Sequence, residues 1–93
     1  MTEIGKKIKE LRLEKDLSMD MLVADLNFKY KLDNPINKSM LSRWESGKND
    51  PTLENARYLC MYFDVSLDYM LGLTEVRTPS RLLTYAKRLS EIK

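Results

Sequence analysis

The segment from Lys38 to Gly47 constrains the fold more than any other part of the chain. Arranged as a helix, one sector of about 100° holds the apolar side chains of Met40, Leu41 and Trp44. A separate sector of about 140° holds the polar side chains, which are Lys38, Ser39, Ser42, Arg43 and Ser46. Gly47 follows at a position where helices commonly end in a left-handed residue. The segment therefore predicts a surface helix with one packed face and one exposed, cationic face.

The rest of the chain favours a small all-helical domain. Its 93 residues suffice for one domain, and they include only three Gly and three Pro. A chain of this length buries about 60–65% of its unfolded surface, so its core has to be compact. Strand-like alternation of apolar and polar residues is nearly absent. We expect an all-α fold, a five-helix bundle followed by a sixth, C-terminal helix.

Capping residues and apolar spacing predict the bounds of the helices. Helix 1 is expected from Thr2 to Lys15, with Thr2 as its N-cap and Glu3 in its first turn. The later helices are expected after the caps Ser18, Asn37, Thr52 and Ser66, with helix 4 over Thr52 to Phe63 and helix 5 over Leu67 to Leu71. The residues of helix 4 expected to face inward are Leu53, Ala56, Leu59, Cys60 and Phe63.

Two boundaries are less sharply marked. Helix 2 either closes at Asn27 or continues through Leu32, before Asp33-Asn34-Pro35 breaks the chain. Residues 73–79, which carry Thr78-Pro79, mark a boundary region. The main domain is expected over residues 1–73, and a linker and amphipathic helix over residues 74–93, with the helix over Ser80 to Ile92. This last helix either packs on the bundle, or dimerises, or leads to an oligomerisation domain that the chain does not contain.

The residue composition excludes several classes of protein. There is no histidine and one cysteine, Cys60, which rules out zinc fingers, histidine-based catalytic triads and internal disulfides. No Gly-rich phosphate loop occurs and the acidic residues are scattered, so we expect neither an enzyme nor a cofactor or metal site. No apolar run approaches the length of a membrane span, and the N-terminus lacks a signal-peptide core. We expect a cytoplasmic protein without a membrane partner.

Charge is distributed unevenly along the chain. The net charge is only +2, but residues 27–49 carry five basic and two acidic residues, while residues 50–76 carry one basic and five acidic residues. The basic stretch contains the two-faced helix. Such a polarised molecule suits the binding of a polyanion by one face.

The chain resembles the lambda-repressor-like, XRE-type helix-turn-helix family, which includes phage repressors, controller proteins of restriction systems and some antitoxins. The resemblance covers roughly residues 4–73 and is carried by Ile4 to Arg12, Leu17-Ser18, Leu22, Leu26, Leu41 to Lys48, Pro51 to Glu54 and Tyr62 to Gly72. It implies a bundle whose third helix enters the major groove of DNA. It also implies an ion pair of structural function between Arg12 of helix 1 and Glu45 of helix 3.

The chain departs from this family at three places. Met19 stands where relatives usually have Gln, and Val23 stands where they usually have a small Ala. The connection between helices 2 and 3 is about eight residues longer than the usual one and includes Lys29 to Pro35. The placement of helix 3 relative to helix 2 is therefore not transferable from shorter relatives.

The candidate DNA-binding residues form two groups. Those expected to contact base edges are Lys38, Ser39, Ser42 and Arg43, for which the alternative is a solvated helix face. Those expected to contact phosphates are Ser18, Asn37, Lys29, Lys31, Lys48 and Asn49. For Asn37 the alternative is a simple helix cap, and for Lys29 and Lys31 it is a solvated edge that packs through Tyr30 and Leu32.

Together these features predict a sequence-specific transcription regulator that binds double-stranded DNA. The favoured form is a phage-type repressor that occludes a palindromic operator as a homodimer. The alternatives are a restriction-system controller, an antitoxin, or a helical protein-interaction module that does not bind DNA.

Overall fold

A computed structural model describes residues 3–77, and these form five α-helices and no strands. The helices are α1 (Ile4–Glu14), α2 (Met19–Tyr30), α3 (Lys38–Glu45), α4 (Leu53–Phe63) and α5 (Leu67–Met70). The expected all-α bundle is confirmed. Thr2 and the sixth helix expected over residues 80–92 lie outside the described residues. No helix within residues 3–77 has the length and apolarity needed to cross a membrane.

Four of the five helices begin at the predicted caps. The side-chain oxygens of Ser18, Asn37, Thr52 and Ser66 each accept a hydrogen bond from the backbone N–H three residues later, at 2.8–3.1 Å. Each bond satisfies one of the free donors of a helix N-terminus. Helix α1 differs from the prediction, because Glu3 occupies its N-cap position without a side-chain cap bond and is not part of the first turn.

The core lies between α1, α2, α3 and the α4–α5 pair. The side chains of Ile8, Leu22, Leu26, Leu41 and Leu59 are fully buried there. Ala56, Cys60 and Phe63 of α4 also face inward, as predicted, but Leu53 is 75% exposed. Leu53 lies in the first turn of α4, about 70° from the centre of the helix face that the buried residues form.

Helix α2 does not close at Asn27. It continues to Tyr30, and Lys31 then takes a left-handed conformation with φ 49°. The side chain of Asn27 instead points across to the far end of the connection. Its Nδ2 donates to the carbonyl oxygen of Ile36 at 2.7 Å, and its Oδ1 accepts from the N–H of Ile36 at 2.8 Å. One side chain thus joins the last turns of α2 to the residue before the α3 cap.

After α5 the chain turns back towards α1. The carbonyl oxygen of Arg77 accepts from the N–H of Ser66 at 2.9 Å, and its guanidinium binds both carboxylate oxygens of Glu14 at 2.7 Å. The guanidinium also lies 5.2 Å from the ring centroid of Tyr69. Contacts with the bundle therefore extend past the boundary predicted at residue 73, which stays a prediction.

Candidate nucleic-acid interface

Helix α3 is attached to the bundle by one face only. Leu41 and Trp44 are buried, and Met40 is half-buried against the core. On the opposite face the side chains are exposed, and these are Lys38, Ser39, Ser42 and Arg43. The structure thus brings together all four residues predicted to contact base edges on one exposed surface of a helix. We refer to these four residues as the α3 polar face.

The rotation of α3 about its axis is held by an ion pair with α1. The Nε and Nη2 atoms of Arg12 donate to the two carboxylate oxygens of Glu45, at 2.8 and 2.9 Å. The two side chains are only 8% and 3% exposed. The remaining Nη1 donates to the carbonyl oxygen of Leu17 at 2.8 Å. Hydrogen bonding to Glu45 raises the pKa of Arg12, so this guanidinium remains charged.

The spacing between α1 and α3 depends on Gly5. A Cβ atom added at Gly5 would overlap the backbone carbonyl of Trp44. The two helix backbones therefore approach more closely than any side chain on Gly5 would allow. An isolated glycine in an otherwise strong helix pattern is the sequence signal for such an approach. Gly5 and the Arg12–Glu45 pair together set both the distance and the rotation of α3.

The first turn of α3 lies beside the first turn of α2. The Lys38 Nζ is 3.4 Å from an Asp20 carboxylate oxygen, and both side chains are largely exposed. Asn37 caps α3 and Ser18 caps α2, and both residues are exposed. The structure therefore groups two of the predicted phosphate contacts with the start of the α3 polar face. The partnership of Lys38 with Asp20 was not predicted, since nothing local links two residues 18 positions apart.

The far end of α3 is closed by a glycine turn. Gly47 has φ 78°, its N–H donates to the Trp44 carbonyl, and the Lys48 N–H donates to the Arg43 carbonyl. This pattern satisfies the last carbonyl groups of the helix and redirects the chain. Lys48 and Asn49 follow directly and are exposed. The predicted phosphate contacts thus stand at both ends of α3.

Lys29 and Lys31 lie elsewhere. The Lys29 Nζ is 5.7 Å from the ring centroids of both Tyr30 and Tyr62, on the side of α2 that meets α4. Lys29 lies about 160° around α2 from Asn27, which bonds to the residue before α3. Lys31 is the left-handed C-cap of α2 and is exposed. The structure does not group Lys29 with the α3 polar face, and phosphate contact by both lysines stays a prediction.

Comparison with known proteins places these features in a family. A model of the helix-turn-helix family matches residues 8–70. The chain is similar to an HTH-type transcriptional activator, BcrR, of Enterococcus faecalis, with 29% identity over 76 residues. The match covers 82% of this chain but 33% of BcrR, so the chain spans about a third of the length of that relative. No solved structure matches significantly. The family match and the five-helix bundle show that the chain belongs to the XRE-type helix-turn-helix family.

Proposed function

We propose that this domain binds double-stranded DNA sequence-specifically, with α3 in the major groove, as the DNA-reading part of a transcription regulator. The observation that carries the proposal is the α3 polar face, which is exposed, while α3 is held to α1 by the Arg12–Glu45 ion pair. A recognition helix needs both properties, because base readout depends on a fixed orientation in the groove. The family match and the similarity to a transcriptional activator support it.

The proposed base contacts follow from the chemistry of the α3 polar face. Arg43 and Lys38 carry donors suited to the O6 and N7 acceptors of guanine, and Ser39 and Ser42 suit several base edges at short range. Lys38 also contacts Asp20. Because this ion pair is exposed and weak, Lys38 would lose little free energy by leaving Asp20 to contact a base. Arg43 forms no salt bridge within residues 3–77 and is the strongest candidate for base readout.

The proposed phosphate contacts flank α3. Ser18, Asn37, Lys48 and Asn49 lie next to the ends of α2 and α3, where they would fix the register of the protein on the duplex. A single module of this size contacts a modest area of DNA. We therefore propose a homodimer on a palindromic operator, with two α3 helices about one helical turn of DNA apart.

The effect on transcription is proposed to be repression by occlusion of promoter DNA, as in phage-type repressors. The relative BcrR is named an activator, and activation would use the same DNA contacts with a different operator position. A restriction-system controller or an antitoxin is the second candidate, and it would be distinguished by its partner rather than by its DNA-binding residues.

The test is selection of bound duplexes from a random-sequence pool, followed by measurement of affinity as a function of salt. We expect a palindromic consensus and a log–log salt slope of about −0.9 for each phosphate neutralised by a cation. Arg43→Ala should weaken binding to the consensus duplex by about 5- to 150-fold, which is about 1–3 kcal/mol, and should relax the sequence preference at one base position. The matched control is Arg57→Ala, which removes an exposed arginine from α4.

A second pair of variants separates phosphate contact from base readout. Lys48→Ala should weaken all duplexes alike and reduce the magnitude of the salt slope by about one, whereas the control Lys6→Ala should not. Absence of measurable duplex binding at low salt would reject the proposal and favour the protein-interaction module.

A further inference from the structure

A second surface feature lies on the opposite edge of α2 from α3. It is an open groove of about 640 Å³ lined by Lys15, Asp25, Phe28, Lys29, Lys31 and Tyr62. These residues come from the end of α1, the second half of α2 and α4. The volume lies within the range of sites that hold small organic ligands. We call it the α2–α4 groove.

The α2–α4 groove is cationic. Within residues 3–77, none of its three lysines forms a salt bridge with a carboxylate. One carboxylate, Asp25, also lines the groove and accepts a hydrogen bond from the Tyr62 hydroxyl at 2.7 Å, so the lining carries three positive charges and one negative charge. This excess of positive charge on one concave surface favours an anionic ligand.

The groove also has aromatic walls. Phe28 is 85% exposed, which is the largest exposure among the big apolar side chains in residues 3–77. Covering this ring with a planar ligand would remove apolar area from water, which is favourable. The Lys29 ammonium is held near the Tyr62 ring, so charge and aromatic surface are presented together.

We propose that the α2–α4 groove binds a small aromatic anion, a planar ring that stacks on Phe28 and carries a phosphate or carboxylate bound by Lys29 and Lys31. The ring and the anionic group are both required, because exposed lysines alone hold a free anion weakly in water. This site is separate from the α3 polar face, and its occupation does not depend on whether the domain binds DNA.

The test is a titration followed by amide chemical shifts in NMR, with adenosine monophosphate as the phosphate-bearing probe and 2-naphthoate as the carboxylate-bearing probe. Adenosine and inorganic phosphate serve as controls for the ring and the charge alone. We expect saturable shifts at residues 15, 25–31 and 62 with a dissociation constant below about 1 mM for at least one probe. Adenosine and inorganic phosphate should each bind at least tenfold more weakly than the tighter-binding of the two probes.

Variants then assign the contacts. Phe28→Ala and the double variant Lys29→Gln/Lys31→Gln should each weaken binding at least tenfold, whereas Lys6→Gln, which removes an exposed lysine of α1, should leave it unchanged. Thermal unfolding of each variant checks that the fold is retained. The proposal is overturned if neither probe shifts these residues at millimolar concentration, or if the groove variants bind as the parent does. It is also overturned if Lys29→Gln/Lys31→Gln weakens only duplex DNA, since that result would assign both lysines to the DNA backbone.

Discussion

At the scale of single residues, Arg12 joins three segments of the bundle. Its guanidinium donates to both oxygens of Glu45 in α3 and to the carbonyl of Leu17 in the turn after α1. Both partners of the ion pair are nearly buried, so the desolvation of the charges offsets much of their attraction. The pair therefore contributes more to the orientation of α3 than to net stability, but removing one partner leaves an uncompensated charge.

The burial of this ion pair predicts a large loss of stability when Glu45 is removed and a small one when its neighbour Arg43 is removed. Glu45→Ala should lower the free energy of unfolding by about 3–5 kcal/mol, because Arg12 is left buried without its carboxylate. Arg43→Ala, on the exposed face of the same helix, should change it by less than about 0.5 kcal/mol. Urea unfolding followed by the fluorescence of Trp44, the single tryptophan, measures both. Equal losses in the two variants would contradict the assignment of Glu45 to structure and Arg43 to the surface.

Tyr62 predicts a loss of stability in alkali. Burial and the hydrogen bond to Asp25 raise the pKa of Tyr62 from 10.0 to about 12 in the folded state. The folded protein thus favours the neutral phenol, and this stabilisation is complete below pH 10 and is lost as the pH rises through about 12. Tyr62→Phe should be less stable by about 1 kcal/mol at pH 8, since the hydrogen bond is removed.

Tyr62→Phe should also reduce the amount by which the free energy of unfolding falls between pH 10 and 12. Burial also raises the pKa of Cys60 to about 11, so parent and variant both lose stability in this range, and the difference between them isolates Tyr62. Urea unfolding from pH 8 to 12 provides the measurement. If the stability difference between the two proteins stays constant across this range, the raised pKa of Tyr62 is wrong.

At the scale of helices, the sequence predicts hydrogen bonds between residues close in the chain but not those between distant residues. The caps Ser18, Asn37, Thr52 and Ser66 bond to N–H groups three residues away, so each is specified by its own neighbourhood. The bonds from Asn27 to Ile36 span nine residues and a break in the chain, and they follow only from tertiary packing. For the same reason, the sequence alone does not determine whether α2 ends at Asn27 or continues.

The two hydrogen bonds between Asn27 and Ile36 predict that this one polar side chain holds the α2–α3 connection in place. Asn27→Ala should destabilise the domain by about 2–4 kcal/mol, because the N–H and carbonyl of the buried Ile36 lose their partners. Asn34→Ala, in the same connection but exposed, is the control and should be nearly neutral. Urea unfolding gives both values. If Asn27→Ala loses less than about 0.5 kcal/mol, as a neutral surface substitution does, water replaces the amide at Ile36 and the prediction is wrong.

At the scale of the whole molecule, the sequence predicted the class of fold, the helix order and the face of α3 that remains exposed. These depend on periodicity and on family motifs that recur along the chain. It did not predict how distant segments meet: the closure of residue 77 onto α1, the exposure of Leu53 and the placement of Lys29 beside Tyr62. Each depends on which surfaces the packed helices leave uncovered. The α2–α4 groove was missed for this reason, although its lysines and aromatic residues were visible individually.

The amide pairing of Asn27 with Ile36 has a consequence for how this fold tolerates change. The entropy of closing a flexible loop grows slowly with length, by about 0.6 kcal/mol for each doubling. Tyr30 and Leu32 pack against the core, but residues 33–35 are exposed. Since the Asn27 side chain holds Ile36 beyond them, this exposed part of the connection can be lengthened or rewritten at little thermodynamic cost. The register between α2 and α3 would survive such editing. The domain therefore contains an insertion point shortly before α3, where new sequence can be accepted without changing the α3 polar face.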